Sequence, residues 1–262
     1  MVHTEKQPIK FFDNLKKIKT NLASKDVFIF LDYDGTLTPI VDTPDLAVLD
    51  GEMRRVVQEL SKKHTVSIVS GRATDDVRKK VDIENIFYAG SHGFEIINPD
   101  GRVNINQQAK KIRATIEKVF NELKQQLKNV PGALVEDVKY TITVHYRLVS
   151  DEDFSDVKEA VDGALKKNNS LRMTSGKKVF ELRPKIDWDK GKAVQWILDA
   201  LNFNSKKQST IYIGDDTTDE DAFKVVNDCG FGIVVSDHAR KSYAKYYVEN
   251  TREVEQVLRS LL

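Results

Sequence analysis

Two carboxylates, Asp32 and Asp34, stand one residue apart at the end of the apolar run Phe28-Ile29-Phe30-Leu31, and Gly35-Thr36 then turn the chain away. Like charges at the mouth of a buried strand are costly unless something offsets them, and a divalent cation is the simplest compensation. The same pair suits phosphoryl transfer, one carboxylate attacking while its neighbour handles the proton. A strand end followed by an Asp-Gly turn is the plainer meaning of these residues when they stand alone. A second acidic group follows another apolar run, Ser209–Gly214: Asp215, Asp216, Asp219, Glu220 and Asp221 put five carboxylates into seven positions. So dense a cluster is hard to explain as a solvated face and is economical as a cation site. Ser70 closes a third run, Thr65-Val66-Ser67-Ile68-Val69, and is followed by Gly71 and Arg72. Lys190 stands near the start of a helical pattern, where backbone donors and an ammonium group together favour an anion.

The elements that must position these groups read as α/β. The apolar runs before Asp32, Ser70 and Asp215 predict buried parallel strands, with helices over 51–62 and from Thr74 to Val81 between them. Open α/β sheets bind ligands at the carboxyl ends of their strands, so Asp32, Asp34, Ser70 and Arg72 are expected to converge. Helical spacing of Ile9, Phe12, Leu15, Ile18 and Leu22 predicts an entry helix over 9–23. Thr38–Leu49 is long for a strand-to-helix connection, which suggests the rim of a site. A strand over Ile86–Gly90 runs into Ser91-His92-Gly93-Phe94-Glu95, where His92 and Glu95 taken alone read as a polar loop. Gly230–Val235 is expected to be the last strand and 251–262 the closing helix.

From about residue 104 the pattern changes. Ile112, Ile116, Val119, Phe120, Leu123 and Leu127 mark a long helix, and Phe154, Val157, Val161 and Leu165 a second. Tyr140–Leu148 alternates, with Thr141, Thr143, His145 and Arg147 on the polar face, and Lys177, Glu181 and Arg183 share the polar face of Lys177–Arg183. Such a face is either solvated or reads a polar substrate. The expected organisation is an α/β core over 1–103 and 185–262, with an inserted α+β cap over 104–184.

Bulk properties narrow the partners. Lys plus Arg is 41 and Asp plus Glu 40 in 262 residues, so no global charge attracts nucleic acid or an anionic membrane. The single cysteine, Cys229, leaves no internal disulfide and no cysteine-rich zinc site. No apolar stretch in residues 1–26 resembles a signal peptide or a membrane span, and a soluble cytoplasmic monomer acting on a small molecule is expected.

Four motifs in order, Asp32-Tyr33-Asp34-Gly35-Thr36-Leu37, Ser70, Lys190 and Gly214-Asp215-Asp216-Thr217-Thr218-Asp219, resemble the haloacid dehalogenase superfamily of phosphotransferases. Ser70-Gly71-Arg72, Ala89-Gly90-Ser91-His92-Gly93 and Val144-His145-Tyr146-Arg147 make the chain similar, within it, to the trehalose-6-phosphate phosphatases over most of residues 27–250. The resemblance implies a Rossmann-like parallel core with an inserted cap, and hydrolysis of trehalose 6-phosphate to trehalose and phosphate through an aspartyl-phosphate. In that pattern Asp32 is the nucleophile, Asp34 the acid and then the base, and Ser70 and Lys190 hold the phosphate oxygens. Mg²⁺ falls to Asp32, Asp34 (through its backbone carbonyl) and Asp215, with Asp216 and Asp219 behind them. The sugar falls to Arg72, His92, Gly93, Glu95, Glu136, Lys139, His145, Arg147, Lys177, Glu181 and Arg183. Glu136-Asp137-Val138-Lys139 departs from the Glu-Asp-Lys of bacterial members and is nearer the plant spacing, which leaves open which lysine meets the sugar. A phosphatase for another sugar phosphate such as sucrose 6-phosphate, a phosphomutase, and a sugar-phosphate sensor without turnover are the competing readings.

Overall fold

The computed structural model describes residues 4–238 and 240–262; Met1, Val2, His3 and Ala239, which the core expectation includes, lie outside the described residues. In chain order the elements are β1 (Ile9–Lys10), α1 (Leu15–Leu22), β2 (Asp26–Leu31), α2 (Gly51–Ser61), β3 (Thr65–Val69), α3 (Thr74–Val81), β4 (Phe87–Gly90), β5 (Glu95–Ile97) and β6 (Val103–Ile105). They continue as α4 (Gln107–Lys111), α5 (Arg113–Gln126), β7 (Leu134–Asp137), β8 (Ile142–His145), α6 (Phe154–Lys167), β9 (Leu171–Gly176) and β10 (Val179–Pro184). The chain ends with α7 (Lys190–Ala200), β11 (Gln208–Gly214), α8 (Glu220–Val226), β12 (Gly230–Val235), β13 (Tyr246–Val248) and α9 (Thr251–Ser260). Two compact units result, one from residues through Ser70, Thr74–Asn104 and Trp188–Leu262, the other from Gly71–Ala73 and Ile105–Asp187.

The first unit is built on a sheet of order β1-β13-β12-β11-β2-β3-β4-β5-β6. Neighbours are parallel from β1 across to β4, and β5 returns antiparallel. The central strand β2 buries both faces, which is why its sequence is a continuous apolar run. Val27, Ile29 and Leu31 pack with Val57 and Leu60 of α2 and Val257 and Leu258 of α9. Phe28 and Phe30 pack on the other side with Val194 and Ile197 of α7 and Phe223 of α8. Each such aliphatic side chain is worth about 1.5–3 kcal/mol of transfer free energy. Asp50, Asp189 and Asn250 accept backbone N–H groups at the starts of α2, α7 and α9. Each cap contributes about 0.5–2 kcal/mol and sets where its helix begins.

Two expectations about this unit need correction. The entry helix begins only at Leu15, because Ile9–Lys10 pairs in parallel with β13. The Phe11 N–H donates to the Tyr247 carbonyl at 3.1 Å, and the buried Phe11 ring meets Tyr246 edge-on. Satisfying a sheet edge outweighed the local helical period. Nor is β12 the last strand, since β13 pairs with it in parallel; three residues are too few to show a period.

The second unit is a four-stranded antiparallel sheet of order β7-β8-β10-β9. Ile142, Val144, Phe180 and Leu182 pack against Ile116, Val119 and Leu123 of α5 and Val157 and Val161 of α6. Its strands are shorter than the alternation predicts. Tyr140–Leu148 contracts to Ile142–His145, because a turn with Lys139 at φ 69 precedes it and the Val149 N–H bonds back to the Tyr146 carbonyl after it. Leu148, placed by periodicity on the apolar face, is 57% exposed. Lys177 lies beside Lys178 (φ 66) between β9 and β10, before the strand that carries Glu181 and Arg183.

Candidate active site

Register brings the chemistry to one level of the first unit. Leu31 of β2 pairs with Ile213 of β11 and with Ile68 of β3, so Asp32, Gly214-Asp215 and Ser70 leave adjacent strands near the same height. The period of two continues past Leu31 and turns Asp32 to the side where Phe28 and Phe30 meet α7 and α8. Lys190, the first residue of α7, lies on that side. Its ammonium donates to Asp219 Oδ1 at 2.7 Å and pairs with Asp32 Oδ1 at 3.0 Å, with only 3% of the lysine side chain exposed. Burial disfavours the ammonium, but Asp219 and Asp32 outweigh it and hold Lys190 protonated well above the usual lysine range.

Asp219 has no idle oxygen. Oδ1 accepts from Lys190 and, at 2.6 Å, from the Tyr212 hydroxyl; Oδ2 accepts the backbone N–H groups of Asp215 and Asp216 at 3.0 and 2.9 Å. Asp216 accepts from the Thr217 N–H at 2.7 Å, closing a capping box over the turn Thr217–Asp219. The acidic run is therefore divided. Asp215 and Asp219 face the site, whereas Glu220 pairs with Arg240 and accepts from Ser242 and the Tyr243 N–H, and Asp221 pairs with Lys224.

Oxygens of Asp32, Asp215 and Asp219 lie within 4.8 Å of one another, and no other trio of His, Cys, Asp or Glu does so among the described residues. The Asp34 and Asp216 carboxylates are outside that trio. Burial pushes the Asp32 carboxyl well above its ordinary range; Lys190 opposes this, and Asp219, Asp215 and Asp34 add to it. One ammonium among three buried carboxylates leaves an excess of negative charge, and an all-oxygen donor set fits a hard divalent cation. The approach is close. Gly35 has φ +77, and a Cβ there would stand 2.0 Å from Asp215 Oδ2, so only glycine leaves room for this carboxylate.

Ser70 is pinned by its backbone, donating to the Ala89 carbonyl and accepting from the His92 N–H, both at 2.9 Å. Ser91, His92 and Gly93 are all left-handed (φ 47, 56 and 87), and a Cβ on Gly93 would meet Ala193 of α7 at 2.2 Å. Two non-glycine residues in that region persist only where tertiary structure holds them. His92 and Glu95 are buried, not the polar loop that they suggest in isolation.

The other expected substrate residues lie in the second unit. The turn residue Arg72 belongs to it with Gly71 and Ala73. Glu136 of β7 meets His145 of β8 at 3.0 Å, Thr174 donates to Glu181 at 3.3 Å, and Arg183 stands 4.0 Å from Glu181. Arg147 donates to the Lys177 carbonyl at 2.8 Å. Arg113, which the sequence reading passed over, grips Asp137 through both oxygens at 2.8 and 2.7 Å and also donates to the Lys139 carbonyl, fixing the turn that presents Lys139. Tyr212 is a further residue of the site that the motifs do not mark. Its signal was a phenol on a strand buried on both faces, since a buried hydroxyl needs a partner.

The family model described as trehalose-phosphatase matches residues 30–252. The chain belongs to the trehalose-phosphatase family. Probable trehalose-phosphate phosphatase I of Arabidopsis thaliana is 41% identical over 262 residues, covering 95% of this chain and 71% of that one. Trehalose 6-phosphate phosphatase RA3 of Zea mays is 40% identical over 252 residues, covering 90% and 70%. Among solved structures, the C-terminal domain of the C. albicans trehalose-6-phosphate phosphatase superposes with a TM-score of 0.83 at 23% identity, covering 98% of each chain. A haloacid dehalogenase-like hydrolase from Bacteroides thetaiotaomicron superposes with a TM-score of 0.62 at 14% identity, covering 91% of this chain and 100% of that one. The fold is that of the haloacid dehalogenase-type hydrolases. No helix among the described residues is long and apolar enough to cross a membrane.

Proposed function

We propose that this chain is a magnesium-dependent phosphatase that hydrolyses trehalose 6-phosphate to trehalose and phosphate. The observation that carries the reading is the buried Asp32–Lys190–Asp219 cluster beside Asp215, in a chain of the trehalose-phosphatase family. Asp32 attacks the phosphorus in line, the bond to the sugar oxygen breaks, and Asp34 gives that oxygen its proton. Asp34 then takes a proton from water as the water oxygen attacks the aspartyl-phosphate, which frees phosphate and restores Asp32. Lys190 and Ser70 hold the non-bridging oxygens where charge concentrates. Asp32, Asp215 and the Asp34 carbonyl would hold magnesium, which would supply positive charge to keep Asp32 ionised and to offset that of the phosphate. Asp219 and Asp216 support this set, Asp219 through Lys190 and Asp216 through its turn.

The second unit is the specificity cap in this proposal. Its acceptors and donors, the part-exposed Glu136 and His145 and the buried Glu181, Arg183 and Arg72, suit sugar hydroxyls. A cytoplasmic setting fits a chain with one cysteine.

Phosphate release from trehalose 6-phosphate, sucrose 6-phosphate, glucose 6-phosphate and an aryl phosphate, each with magnesium and with a chelator, tests the proposal. The expected result is magnesium-dependent release with a strong preference for trehalose 6-phosphate. Equal rates on all four would refute the specificity, and release undiminished by the chelator would refute the metal.

A further inference from the structure

We propose that Tyr212 is a positioning residue for phosphoryl transfer, its hydroxyl fixing Asp219 and thereby the place of the Lys190 ammonium beside Asp32. The inference rests on the functional reading above. Tyr212 is completely buried, its backbone lies between two parallel strand partners, and its ring meets Phe223 edge-on at 5.5 Å and 87°. Its oxygen is therefore a fixed point. That oxygen lies 2.6 Å from Asp219 Oδ1, the same atom that receives Lys190 at 2.7 Å. The other carboxylate oxygen is tied to the backbone of Asp215 and Asp216, so Asp219 joins the anion-holding lysine to the loop bearing Asp215.

The two donors on Oδ1 share one negative charge. With the hydroxyl present, part of the pull of Asp219 is spent on Tyr212, and Lys190 remains balanced between Asp219 and Asp32, at 2.7 and 3.0 Å. Without it, Oδ1 would have the ammonium alone and draw it away from Asp32. A phenylalanine would fill the same apolar space at lower cost, because a buried hydroxyl is tolerated only when it is bonded. Among the described residues its hydroxyl bonds to Asp219.

Tyr212→Phe removes the oxygen and keeps the ring. Tyr88→Phe is the control: it also removes a buried tyrosine hydroxyl, one that donates to the Ile83 carbonyl at 2.7 Å. Groups that orient a ligand or catalytic residue from behind typically cost about 10–100-fold when removed. We expect Tyr212→Phe to lower kcat about tenfold on trehalose 6-phosphate and on an aryl phosphate alike, and to raise the inhibition constant for orthovanadate, which mimics the five-coordinate phosphorus, by a similar factor. Tyr88→Phe should leave both readouts unchanged while lowering the melting temperature. An active parent whose Tyr212→Phe variant keeps kcat within twofold overturns this inference alone. So does a loss of kcat without a change in vanadate inhibition, or an equal loss in Tyr88→Phe. A parent that releases no phosphate from any ester overturns the functional reading, and this inference with it.

Discussion

In the first unit Lys190 meets Asp219 and Asp32 at 2.7 and 3.0 Å, and none of the three side chains is more than 7% exposed. In the second, Glu136 and His145 meet at 3.0 Å with 30% and 19% of their side chains exposed, whereas Arg183 and Glu181, only 5% and 11% exposed, stand 4.0 Å apart. Taking charge out of water is costly, so a buried cluster survives only if nearly every oxygen and proton is matched, and matching makes it rigid. Asp219, with four donors on two oxygens, is the clearest case. In the second unit the part-exposed Glu136–His145 pair can trade a partner for a ligand hydroxyl at small cost, and the buried, widely spaced Glu181–Arg183 pair leaves Arg183 Nε and Nη2 unmatched among the described residues. The proposed chemistry sits where geometry is over-determined, and the proposed sugar reading where pairing is incomplete or open to solvent.

That contrast can be broken. Asp32→Asn should abolish turnover, lowering kcat by more than about a thousandfold while calorimetry still detects trehalose 6-phosphate binding. Substantial phosphate release by this variant would remove the nucleophile from the rigid cluster. Glu181→Gln, in the looser set, should act on discrimination: the ratio of kcat/KM for trehalose 6-phosphate to that for an aryl phosphate should fall about tenfold, the usual range for one polar contact to a ligand. An equal loss on both substrates would mean that the second unit serves the chemistry itself. The smallest effect concerns Tyr88 of β4, whose hydroxyl bonds to Ile83 and to neither set of charged residues. Burial pushes its hydroxyl up to about 12, although the Ile83 N–H, which donates to the Tyr88 oxygen at 3.1 Å, works the other way. An unfolded tyrosine releases its proton near pH 10, so this contribution to stability is complete below pH 10 and is lost as pH rises toward 12. Chemical denaturation across that range should show the decline, and Tyr88→Phe should flatten it.

Much of this arrangement was legible in one dimension because it rests on local periodicity. A strand buried on both faces must be apolar throughout, so the runs ending at Leu31, Val69 and Gly214 stand out, and the polar residues just beyond each mark the carboxyl edge. Where a local period met a tertiary demand it misled. Ile9 has the spacing of a helix and the partner of a strand, and Leu148 continues an alternation after the strand has ended. The acidic run misled differently. Composition says five carboxylates, but only Asp215 and Asp219 join Asp32, while Glu220 is claimed by Arg240, twenty residues away.

The amino-acid sequence by itself determined which strands lie in the middle of the sheet, which residues end them and which family the chain resembles, because burial and turn chemistry act on neighbours along the chain. Only the tertiary structure decided that Asp219 serves Lys190, that Tyr212 completes the cluster and that Gly35 admits Asp215. Those contacts join β2, β11 and the start of α7 through strand register and helix packing, and a hydrogen bond between elements so distant in the chain leaves no local period to read.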